Sequence, residues 1–61
     1  MVERIAALAK EQGLSINALE SLAGVTNIHR WDDNRPSVDK VAAVARVLNT
    51  TVDYLVNGGQ R

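Results

Sequence analysis

Two glycines, Gly13 and Gly24, stand so close together that the ten residues between them allow barely two turns of helix. Glycine adopts the left-handed geometry of a helix C-cap without a side-chain clash, so each one reads as a stop. Asn34-Arg35-Pro36 interrupts the chain again, because proline disfavours helix in the residue before it. Asn57-Gly58-Gly59 closes the last periodic stretch. Between such stops only short helices fit, and helices of that length depend on tertiary packing for their existence.

Apolar residues recur between the stops at helical spacing, which predicts an all-α fold of about five short helices with no strand. The first runs from about Val2 to Gln12, with Ile5, Leu8 and Ala9 facing inward and Glu3, Arg4, Lys10 and Glu11 largely on the wet side. Ser15 is a good N-cap for the second, Ile16 to Ala23, where Leu19 and Leu22 form the inward stripe. Thr26 or Asn27 caps a third helix ending near Asp33, with Ile28 and Trp31 inward. Ser37 caps the fourth, whose Val38, Val41, Ala42, Ala45 and Leu48 lie on one broad apolar face. Asp39 in its first turn and Arg46 near its end both suit the helix dipole. Thr51 caps the last, which carries Val52, Leu55 and Val56, and the tail Gln60-Arg61 is expected to fray. Connections of about two to five residues make residues 1–61 one compact bundle and one domain.

Such a short chain buries only about 60% of the surface that it exposes when unfolded. It contains no cysteine, which removes disulfide staples and thiolate metal sites. A single histidine would leave carboxylates to supply nearly every remaining zinc ligand, so no metal or cofactor is expected. Helix packing or a partner subunit must therefore supply the stability. No apolar run approaches the roughly 18 residues of a membrane span, and no charged leader precedes one, so the expected location is cytoplasmic.

Catalytic groupings are equally scarce. Asp32 and Asp33 are adjacent, and neighbours on a helix point about 100° apart, so the pair reads as solvated rather than as an acid/base site. His29 has no plausible nucleophile near it in the sequence. No enzymatic activity and no small-molecule substrate are expected.

The ordered set Leu14-Ser15-Ile16-Asn17-Ala18-Leu19-Glu20, Ala23-Gly24-Val25-Thr26 and Ile28-His29-Arg30-Trp31 resembles the Cro/repressor-type helix-turn-helix family of phage and bacterial repressors. The likeness continues through Pro36-Ser37-Val38-Asp39-Lys40-Val41, Ala45, Leu48 and Thr51-Val52-Asp53-Tyr54-Leu55, and so covers nearly the whole chain. It implies a lambda-repressor-like fold with the motif at about residues 15–33. In that arrangement Gly24 permits the tight turn, Val25 and Ile28 plug it into the core, and the second motif helix enters the major groove. The function implied is transcription regulation by DNA binding, as a homodimer on a two-fold operator. Val52, Val56 and Tyr54 of the last helix are the expected dimer surface.

One departure stands out. Family members carry about two more residues between the turn and the core isoleucine than the single Asn27 found between Thr26 and Ile28. Two residues amount to about 200° of helical rotation. Either the recognition helix loses its first half-turn or the turn is rebuilt; the first is favoured, because Ile28 and Trp31 are worth keeping buried.

Carried over by position, Thr26, Asn27, His29 and Arg30 face bases, with Arg30 suited to guanine and Asn27 to adenine. Ser15, Asn17, Asn34, Arg35 and Lys40 face phosphates. Plainer roles compete: an N-cap for Ser15, core packing rather than base stacking for Trp31, and ordinary solvated polarity for the others. Seven basic residues balanced by seven acidic ones mean that affinity for DNA would require the charges to segregate onto one face. That neutrality, the acidic Asp32-Asp33 and the shortened segment favour an alternative, a helix-turn-helix scaffold for protein contact.

Overall fold

The hydrophobic periodicity closes into a body of four α-helices and one 3₁₀ turn, seen in a computed structural model that describes residues 1–58. The expected fraying of Gln60-Arg61 lies outside the described residues. Helix α1 spans Val2–Glu11, and its Ile5, Leu8 and Ala9 are all buried as their spacing requires. Beyond its end the Gln12 Nε2 donates to the Leu48 carbonyl at 2.7 Å, tying α1 to the far end of another helix. Arg4 is half-buried rather than wholly wet, and its Nη1 donates to the Leu55 carbonyl at 3.4 Å.

Helix α2, Ile16–Ala23, starts at Ser15, whose Oγ accepts the Ala18 N–H at 3.1 Å. The stripe expected from Leu19 and Leu22 is only half right: Leu19 is fully buried, whereas Leu22 is 62% exposed. The reason is angular. Ile16 and Ala23, both half-buried, lie about 60° and 40° to one side of Leu19, while Leu22 lies about 60° to the other. The helix rolls toward the side with two apolar residues.

Helix α3, Val38–Val47, packs against both α2 and α4. Its inward face is Val41, Val44, Ala45 and Leu48, the i, i+3, i+4, i+7 pattern of an amphipathic helix. Val44 joins the core without having been expected there, Ala42 is half-buried, and Val38 is 71% exposed where the body leaves an open groove beside it. Helix α4, Val52–Asn57, begins at Thr51, whose Oγ1 accepts the Tyr54 N–H at 3.1 Å. Leu55 anchors it in the core.

The third α-helix expected to reach Asp33 does not form. In its place stands a three-residue 3₁₀ turn, Ile28–Arg30, followed by turns and an extended approach to Pro36. Side chains at i and i+3 eclipse in a 3₁₀ helix, so this geometry puts Ile28 and Trp31 in line on one face. Ile28 is fully buried and Trp31 only 4% exposed, which assigns Trp31 to core packing and not to base stacking. Among the described residues no helix is long and apolar enough to cross a membrane.

Candidate nucleic-acid interface

The surface around the 3₁₀ turn is built by the way the backbone leaves α2. Gly24 ends that helix with φ of 72°, and both its N–H and that of Val25 donate to the Glu20 carbonyl, at 2.8 and 3.0 Å. Only glycine takes this conformation without strain, and the reversal it makes drops the Val25 side chain into the core. Thr26 and Asn27 then cross the surface in the open. Asn27 turns the chain a second time with φ of 58°, a left-handed value that asparagine tolerates better than most residues.

The Ile28 N–H, at the first residue of the 3₁₀ turn, donates to Glu20 Oε2 at 3.0 Å. Glu20 therefore holds the turn at both ends, through its carbonyl at the start and its carboxylate at the finish. The segment continues with Arg30 N–H to Asn27 carbonyl and Trp31 N–H to Ile28 carbonyl, each at 3.0 Å. The Arg30 carbonyl then accepts from Asp33 and Asn34 at 3.0 and 2.7 Å. The short connection is thus built as a reversed turn, and the loss of helix goes beyond the half-turn expected.

Both core anchors face inward, so the intervening side chains face outward. Thr26, Asn27, Arg30, Asn34, Arg35 and Lys40 line one open groove together with Trp31 and Pro36. Six of the nine residues singled out from sequence thus come together. Asn17 lines an adjoining depression with Glu20, Ser21 and Thr26, so the two concavities share Thr26. His29 is exposed but lines neither. Ser15 is exposed and is the N-cap of α2, a role compatible with contact to a phosphate.

Three cations gather on this face despite the neutral total, with the Glu20 carboxylate in the adjoining depression. Arg30, Arg35 and Lys40 converge on the groove, and among the described residues no carboxylate forms an ion pair with any of them. Asp32 pairs instead with the chain's amino group: its Oδ1 accepts from the Met1 nitrogen at 3.2 Å, in a neighbouring groove that Arg35 also lines. No three metal-binding side chains gather among the described residues.

The residue that sequence reasoning passed over is Glu20. It was noted only as part of the family-like stretch, and its role depends on a contact eight positions along the chain. The available signal was a carboxylate on a helix whose following turn is too short to satisfy its own N–H groups. Comparison with known proteins adds nothing to this picture: no family model, no curated protein and no solved structure matches the chain.

Proposed function

We propose that this chain is a DNA-binding transcriptional regulator of the repressor type, with a lambda-repressor-like helix-turn-helix fold, acting in the cytoplasm as a homodimer. The observation that carries the reading is the groove in which Arg30, Arg35 and Lys40 meet Thr26, Asn27 and Asn34. Three cations on one face, none in an ion pair among the described residues, supply phosphate attraction that the net charge of zero conceals. Amide and guanidinium groups among them have the donors and acceptors that base edges require. With only a 3₁₀ turn in place of a recognition helix, the reach into the major groove is short, so phosphate contact outweighs base reading.

The test is a duplex-DNA titration at two salt concentrations, with random-sequence competitor. Each of Arg30→Ala, Arg35→Ala and Lys40→Ala should reduce the salt dependence of log K by about 0.9 if it removes one phosphate contact. If Arg30 also contacts a guanine, its substitution costs a further 1–3 kcal/mol, roughly, on the cognate site alone. Binding that ignores salt, or none at micromolar protein, counts against the proposal.

A second reading, a scaffold for protein contact, draws on the neighbouring groove, which shares Trp31, Arg35 and Pro36 with the first. Val38, 71% exposed, and Val56, 36% exposed, share a groove with Trp31, Val41 and Val52 on the other side of Pro36. A Trp31 fluorescence change on adding a partner protein, with none on adding duplex DNA, would favour that reading.

A further inference from the structure

We propose that Glu20 is the positioning residue of the DNA-facing segment: its carboxylate takes the place of the missing first turn of the recognition helix and sets the direction in which Asn27 and Arg30 project. The inference rests on the DNA-binding reading for its functional consequence, although the clasp itself can be judged without DNA.

In a continuous helix the N–H of Ile28 would find a carbonyl four residues earlier. Here the position four residues back is Gly24, where the chain has already reversed. Glu20 supplies the acceptor instead, at 3.0 Å and partly buried. The same residue's carbonyl holds the N–H groups of Gly24 and Val25. Thr26 and Asn27 are thus suspended between two attachments to one residue of α2, a helix already anchored by Leu19. Arg30 follows within a single 3₁₀ turn, its N–H bonded to the Asn27 carbonyl at 3.0 Å. Loss of the clasp would leave Ile28 and Trp31 buried by their own apolar surface, while the backbone between Val25 and Ile28 would be free to swing. Core packing would then survive, and the aim of the polar groups would not.

The carboxylate also lies on the face with Asn17 and Thr26, where it repels phosphate. Glutamine keeps an acceptor oxygen at the same reach and removes the charge. Alanine removes both. If the clasp matters, glutamine therefore keeps or raises affinity while alanine lowers it; if Glu20 is only a repulsive charge, both raise it.

The experiment compares wild type, Glu20→Gln and Glu20→Ala in duplex titrations and in amide hydrogen exchange without DNA. Glu20→Gln should bind duplex as tightly as wild type or several-fold more tightly, with Ile28 amide protection retained. Glu20→Ala should bind about tenfold more weakly, even though it has lost a repulsive charge. Its Ile28 amide should exchange at least about tenfold faster while the Leu19 and Leu48 amides keep their protection. Unchanged exchange at Ile28 in the alanine variant overturns the clasp, whatever the DNA result. Tighter binding by both variants overturns the positioning role. Should none of the three proteins bind duplex, the DNA reading fails and the exchange data alone decide for or against the clasp.

Discussion

Helix α3 and the segment from Gly24 to Trp31 both feed the same core, yet they are held in different ways. The helix presents Val41, Val44, Ala45 and Leu48 from a backbone that satisfies its own hydrogen bonds. The shorter segment buries Val25, Ile28 and Trp31 with only one 3₁₀ turn of regular structure, and borrows an acceptor from Glu20. Apolar burial can therefore anchor a stretch of chain without making it a helix. What regular structure adds is direction: it decides which way the side chains between the anchors point.

The comparison is most directly broken by truncating one anchor from each region. Ile28→Ala and Leu48→Ala should each cost about 2–5 kcal/mol, a large share of what so small a domain can have, read from urea or thermal melts. If Ile28→Ala costs much less than Leu48→Ala, the segment is draped on the core and not built into it.

A smaller effect is expected at the reversal. Gly24→Ala meets no atom within 4 Å but must hold φ near +72°, so its cost of about 1 kcal/mol is conformational and not steric. Asn27→Gly relieves the same kind of strain at φ 58° and should change folded-state stability by less than about 1 kcal/mol. A large loss for Asn27→Gly would mean that the asparagine side chain has a structural role beyond tolerating the turn. Ser15→Ala removes the acceptor for the Ala18 N–H and should cost about 1 kcal/mol, measured by the same melts.

The smallest effect belongs to Leu22. Because it is 62% exposed, Leu22→Ala should shift stability by no more than about 0.5 kcal/mol, whereas Leu19→Ala should behave like the core truncations. A loss above about 2 kcal/mol at Leu22 would require α2 to be rolled by some 60° from its observed setting.

Much of the fold was legible because its signals are local. The caps Ser15 and Thr51 and the stop at Gly24 each act within a few residues, and each works where it was expected. The inward faces of α1 and most of α3 followed from periodicity alone. Leu22 and Val38 were misplaced because a stripe of apolar residues has a width, and only the neighbouring elements decide which edge of it is covered. The candidate interface was legible as a set of residues but not as a shape. Arg35 and Lys40 lie on the far side of a loop from Arg30, and nothing in their spacing says that they share a groove.

From the sequence alone came the all-helical class, the positions of the stops, the side-chain caps Ser15 and Thr51, though Ser37 and Asn27 make no such bond, and the identity of the core anchors Ile28 and Trp31. These depend on backbone conformations and hydrogen bonds made within a turn or two, which the residue types dictate directly. Tertiary structure alone decided that the third helix expected from periodicity becomes a 3₁₀ turn, that the Glu20 carboxylate accepts its first N–H, and that three cations line a groove beside it. Those outcomes balance burial of two distant side chains against the hydrogen bonding of a segment too short to be a helix, and that balance exists only once the rest of the bundle is in place.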